Sequence, residues 1–179
     1  IYHAIIGKQA LDMRYRSFRA RSASNFIFYP YLLKEYRNRW FVFGVKKGSS
    51  TFMNLALDRI HHLAIAEKEC YKENDFFDPA TFFDDMVGVT KNAGTNAETV
   101  RIRVDAENAP YVETKPIHRS QRVLERLEDK SVIFELNVVV NPEFQREIFG
   151  FADSIKVLSP QALVDFMKRK FDRAARIYE

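Results

Sequence analysis

A chain of 179 residues with 46% hydrophobic and 29% charged side chains has the composition of a folded globular protein, with apolar material for one sizeable core or two small ones. No apolar run reaches the roughly 20 residues that span a bilayer, no basic-then-apolar leader opens the sequence, and a single cysteine, Cys70, excludes an internal disulfide and fits a cytoplasmic setting. The net charge of +4 is uneven: in residues 1–47 ten lysines and arginines face only Asp12 and Glu35, a balance of +8 that leaves −4 for the rest. A basic half in a mildly acidic chain points to a polyanionic partner or to a solvated arginine-rich face, and charge alone does not choose between them.

The first turn, Ile1 to Gly7, reads as the end of a helix, and because the chain opens on Ile1 rather than methionine it is expected to be a fragment lacking an N-terminal part. From Ala10 the period becomes two, with Leu11, Met13 and Tyr15 on one face and Asp12, Arg14 and Arg16 on the other, a half-buried strand. Ser17 to Asn25 is a polar loop. Strands are predicted over Phe26–Tyr29, stopped by Pro30, then Tyr31–Tyr36, Trp40–Val45, Thr51–Leu57 and Leu63–Glu67. Short strands joined by tight turns predict a small β-barrel. A connector with a short helix after Asp78 and Pro79, and a linker over Thr90–Asn96, come next.

The remainder alternates strand and helix. A strand at Thr99–Asp105, a helix at Ala106–Thr114 and a hairpin over Gln121–Val140 are followed by a helix capped by Asn141-Pro142 and stopped at Gly150. A strand at Ser154–Leu158 and a last helix after Ser159-Pro160, running to about Tyr178, complete the chain. The order βαββαβ plus a terminal helix is the split-βαβ, ferredoxin-like pattern. The fold class expected is therefore mixed β and α+β, with a barrel over 1–73, a connector over 74–96 and an α+β domain over 97–179.

The stretch Pro30 to Gly44, with Trp40-Phe41-Val42 in place of a Trp-Tyr-Leu triplet, resembles the signature of WYL domains. Leu57-Asp58-Arg59-Ile60 is similar to the family's second hallmark and Tyr15 to a third. Ala109-Pro110-Tyr111, Pro116 to Gln121, Asn141-Pro142-Glu143 and Val157-Leu158-Ser159-Pro160 look like the C-terminal extension called WCX. The resemblance implies an Sm-like, SH3-type barrel followed by the extension, in a bacterial transcription regulator whose N-terminal helix-turn-helix reads promoter DNA. It further implies a homodimer and an effector such as a nucleotide or short single-stranded nucleic acid. Two departures, Met53 and Ala56, stand where many members carry arginine, which lowers the phosphate charge expected of the pocket.

Six residues are candidates for the effector site: Tyr15, Arg16, Tyr31, Arg37, Arg39 and Arg59. Arg59 can offer its planar fork of donors to a phosphate, or pair with Asp58 as a structural bridge. Arg39 and Trp40 point to opposite faces of a strand, which makes Trp40 a core candidate and leaves Arg39 and Arg37 for a basic rim. Tyr15 lies on the inner face with a hydroxyl to spare, and Tyr31 and Tyr36 offer stacking surface. His118, Ser120 and Gln121 form a polar cluster that either contacts a ligand or a second subunit or caps a loop. No enzyme, cofactor or metal is indicated. His3, His61, His62 and His118 lack metal spacing, Cys70 lacks a motif, and the turn at Gly44 to Ser49 lacks the order of a phosphate loop.

Overall fold

The computed structural model describes residues 1–75, 77–92 and 94–179; Phe76 and Ala93, in the expected connector and linker, lie outside the described residues. The chain divides into two units, Ile1–Phe82 and Phe83–Glu179. Both are built on antiparallel sheets, with few helices.

In the first unit a short helix α1 (Tyr2–Ile6) precedes β1 (Leu11–Tyr15), β2 (Ser24–Tyr36), β3 (Arg39–Lys46), β4 (Phe52–Ala56) and β5 (Ile60–Ile65), with a 3-10 turn, Leu57–Arg59, between the last two. The strands form one sheet in the order β4-β3-β2-β1-β5. Among the described residues β4 and β5 do not pair, so the sheet is open and the closed barrel expected from the sequence is not formed. Alternation reveals strands but not which edges meet, and here the 3-10 turn delivers β5 to the free side of β1, leaving two edges.

Pro30 does not end a strand as expected. The ladder shifts register between Pro30 and Leu32 and continues as a single β2, because a bulge absorbs the missing N–H. Pro30 lies opposite Gly44, where a Cβ would sit 2.0 Å from the Tyr29 carbonyl oxygen, so only glycine permits this approach. Beyond the bulge Arg37 and Asn38, both at positive φ (50° and 62°), close a two-residue hairpin.

The sheet has two apolar faces. Leu11, Met13, Phe28, Val42 and Leu55 are buried together with Ala4 of α1 on one. Ala10, Tyr29, Tyr31 and Val45 are buried on the other, with Tyr71 and Phe77 against them. Phe77 and Phe82 pack edge-on or tilted around Phe52, 4.5–5.1 Å between centroids. The helix expected after Asp78 reduces to turns. Asp78 does cap it, its Oδ1 accepting from Ala80 N (2.9 Å) and its carbonyl from Phe82 N (2.9 Å), but one turn without propagation is not a helix.

The second unit runs β6 (Glu98–Val104), α2 (Ala109–Thr114), β7 (Arg122–Arg126), β8 (Val132–Val138), α3 (Pro142–Phe149), β9 (Ile155–Ser159) and α4 (Gln161–Ala175). Its sheet order is β7-β8-β6-β9 with every pair antiparallel. Val100, Ile102 and Val104 of β6 and Val132, Phe134, Leu136 and Val138 of β8 alternate inward against Val112, Phe144, Ile148, Leu163 and Met167 of the helices. Burying each such side chain contributes roughly 1.5–3 kcal/mol. Asn141 caps α3 through Phe144 N (2.8 Å) with Pro142 at the first position, as its sequence predicts. Gly150 ends α3 without entering the left-handed region (φ −65°); the positive φ comes at Ala152.

Candidate ligand-binding site

The 3-10 turn Leu57–Arg59 fixes Arg59 where β5 departs from β4. Beyond a register shift at Arg14/Tyr15, Arg16 N donates to the Arg59 carbonyl (3.2 Å), so these two arginines leave from neighbouring backbone. The loop after β1 then folds back: Ala20 N donates to Ser17 O (3.0 Å), and the Arg16 guanidinium Nε donates to Ala20 O at 3.5 Å. This turn places Phe18 against Arg59, whose Cζ lies 4.0 Å from the ring centroid, a close cation–π contact. Phe18 itself is 77% exposed.

The Arg59 Nε is buried and has no hydrogen-bond partner. Asp58, the acid that sequence proximity offers it, instead pairs with Arg39 at 3.2 Å, a half-exposed bridge worth roughly 0–1 kcal/mol. Arg14, Arg16, Arg19 and Arg21 are exposed, and among the described residues neither they nor Arg59 form an ion pair. Five arginines, four of them within residues 14–21, thus stand without an ion-pair partner among the described residues. Beside the turn a groove of about 620 Å³ is lined by Leu57 and Ile60 with Ile1, Leu33, His61 and His62.

The other candidates divide. Tyr15 packs half-buried on the inner cluster, opposite Ile60 in the ladder. Tyr31 is buried on the opposite face, its hydroxyl donating to Glu73 O (3.4 Å) and its pKa pushed up by burial, so it is not brought to Arg59. Arg37 stands at the hairpin tip over the Tyr36 ring, 5.7 Å to its centroid. Trp40 is 51% exposed, which corrects its reading as a core residue: it lies next to the hairpin turn, past the end of the packed region, where Val42 is the last fully buried residue on its face.

In the second unit His118 is buried, with Nδ1 2.7 Å from Ser120 Oγ, and burial pushes its pKa down. The Ser120 hydroxyl bridges to Asn137 O and N (2.9 Å each). Gln121 accepts from Ile117 N (3.0 Å) and donates to Val112 O (2.7 Å). These three side chains therefore tie a loop to α2 and β8, the capping alternative of the two read from sequence. Among the described residues no group of three or more His, Cys, Asp or Glu side chains is placed to hold a metal, and no helix is long and apolar enough to cross a membrane.

Comparison with known proteins agrees with the hallmark residues. The WYL domain family profile matches residues 1–65, and the WCX domain profile matches residues 96–175. The chain is a WYL domain joined to a WCX domain. No curated protein matches it. Among solved structures it is similar to a CRISPR Cas-related protein, at 14% identity and a TM-score of 0.53 over 99% of this chain and 49% of that one. That likeness is one of fold alone. A match to proteasome accessory factor B/C (PafBC) of Arthrobacter aurescens covers 99% of this chain and 26% of that one, at 16% identity and a TM-score of 0.40. The chain thus spans between a quarter and a half of these proteins.

Within the WYL domain the departures noted at Met53 and Ala56 prove internal, since Met53 packs on the inner cluster and Ala56 is buried. Phe18 was not singled out from the sequence; its signal is a lone aromatic in a serine- and arginine-rich loop with no apolar neighbour to pack on. In the WCX domain the role of Asn141-Pro142-Glu143 was also only half legible. Asn141 Nδ2 donates to Val87 O (2.7 Å) and Thr90 O (2.9 Å), and Glu143 Oε1 accepts from Thr90 Oγ1 (2.7 Å). Gly88, at φ +79°, lies so near that a Cβ would meet Glu143 Cγ at 2.6 Å.

Proposed function

We propose that this chain is the ligand-sensing, regulatory part of a cytoplasmic bacterial transcription regulator, a binding module and not an enzyme. Its open five-stranded sheet is read as an Sm-like, SH3-type fold and its second unit as ferredoxin-like. The effector bears phosphate, a nucleotide or short single strand, and it controls an attached DNA-binding domain by favouring one conformational state of the regulator over the other. The observation that carries this reading is the buried Arg59 Nε without an acceptor, together with four arginines of residues 14–21 that form no ion pair among the described residues. A buried donor is ordinarily paired, and an arginine fork matches phosphate oxygens.

The test is fluorescence anisotropy with a short labelled single strand. Arg59→Ala weakens binding by roughly 1.5–3 kcal/mol, the usual loss for a hydrogen bond to a charged group, while Lys46→Ala, at the last residue of β3 opposite Phe28, changes it far less. Equal binding by wild type and Arg59→Ala removes the site.

A second reading, a dimerisation module, is favoured by β7, an edge strand whose five residues are all exposed, Val123 and Leu124 among them. An exposed edge of this kind can pair antiparallel with the same strand of a second copy. Sedimentation of the protein as a monomer throughout the high-micromolar range removes this reading.

A further inference from the structure

We infer that Phe18 is the base-stacking residue of the site, so that the ligand must carry a planar ring next to its phosphate. The inference rests on the phosphate reading of Arg59 and adds to it the chemistry of the rest of the ligand. Single exposed hydrophobic residues are ordinary, and the 77% exposure of Phe18 would mean little by itself. Three further observations give it content. One face of the ring is taken by the Arg59 guanidinium at 4.0 Å, which leaves the opposite face for a ligand. The backbone turn that carries the ring is closed by the Ala20 N to Ser17 O bond and the contact from Arg16 Nε to Ala20 O. Finally, Arg16, Arg19 and Arg21, which flank it in sequence, are exposed and without ion-pair partners among the described residues.

Stacked on an aromatic ring, a guanidinium keeps its in-plane donors available for an oxygen acceptor while its face is occupied. The Phe18–Arg59 pair is therefore a platform on which a base stacks on one side while the phosphate beside it meets the arginine's edge. Tyr31, which the sequence offers for stacking with Tyr36, and Tyr15 are committed to the two faces of the sheet. Stacking tolerates any base, and the consequence is preference for nucleotides over sugar phosphates or inorganic phosphate rather than a sequence code.

The experiment compares anisotropy binding of a labelled oligothymidylate and an abasic strand of equal length and charge to wild type, Phe18→Leu, Phe18→Trp and Arg59→Ala. Wild type binds the base-bearing strand more tightly by roughly five- to hundredfold, the value of one stacked base. In Phe18→Leu that ratio falls to near one while abasic binding persists; in Phe18→Trp the ratio is retained. Arg59→Ala lowers affinity for both strands. A wild-type ratio preserved in Phe18→Leu, or equal wild-type binding of the two strands with steep salt dependence, overturns the role of Phe18 and leaves the phosphate reading standing. Failure of wild type to bind either strand overturns both. Because the ring is exposed, thermal melts of the variants should match wild type.

Discussion

The arginines around the WCX sheet and those at the end of the first WYL strand are used in opposite ways. In the WCX domain, Arg101 and Arg122 converge on Glu135 (2.9 and 2.5 Å), Arg126 meets Glu113 (2.7 Å), Arg119 meets Asp84 (2.5 Å) and Arg103 meets Asp129. The acids respond. Arg122 and Arg101 hold the Glu135 carboxyl below the usual carboxylate range, and Arg126 does the same for Glu113. In the WYL domain Arg14, Arg16, Arg19, Arg21 and Arg59 form no ion pair among the described residues. The +8 balance of residues 1–47 places the excess in the first domain but does not say which of its arginines lack an acid. Accounting for partners turns a sequence-level excess into a located one, and it moves Arg39 from the free group to the paired group.

If the contrast is right, damage to the WCX domain costs stability and damage to the arginine cluster costs binding. Asn141→Ala is the largest expected stability effect. It removes the α3 cap and two bonds to the carbonyls of Val87 and Thr90, a loss of roughly 2–4 kcal/mol in urea unfolding, with strand affinity unchanged. Arg59→Ala should do the reverse, losing roughly 1.5–3 kcal/mol of strand binding with unfolding free energy held or slightly raised, since a buried donor without a partner is removed. A variant in which both quantities fall together would break the contrast.

The far face of the WYL sheet supplies a third test. Burial raises the hydroxyl pKa of Tyr29 and of Tyr71 from 10.0 to about 12, with Glu69 adding to the rise for Tyr29. Because the folded-state values lie above the unfolded ones, this stabilisation is complete below about pH 10 and is lost as the pH climbs through about 12. Tyrosinate absorbance titrated alongside circular dichroism should show these two residues ionising late and with loss of structure. Early ionisation of all the tyrosines without unfolding would mean that the face is open. The smallest effect is expected at Arg39, where Asp58 already answers the charge: Arg39→Ala should shift strand affinity by less than about 1 kcal/mol.

How much of this was legible in the sequence depends on the range of the interaction. Strand alternation from Leu11 to Tyr15, the Arg37-Asn38 turn and the Asn141-Pro142 cap are local, and each is where its residues place it. Barrel closure was misjudged because it depends on which edges meet. The continuity of β2 through Pro30 was missed because it depends on Gly44, fourteen residues away and across the sheet. The site was half visible. Arg59 and Arg16 were readable from motif and charge, whereas Phe18 and the choice of Asp58 between two arginines arise only when the β1 loop and the 3-10 turn are brought together. Trp40 was assigned to the core by residue type, and its position beside a hairpin turn overrides that preference.

The most direct test of the central claim, that the unpaired arginines of the WYL domain bind phosphate, is the salt dependence of strand affinity. If three or four arginines each neutralise a phosphate, the logarithm of the association constant falls against the logarithm of salt concentration with a slope of roughly −2 to −3. Arg59→Ala should bring that slope nearer zero by about 0.7, the share of one contact to a single strand. A wild-type slope near zero, or an identical slope in wild type and Arg59→Ala, would contradict the account.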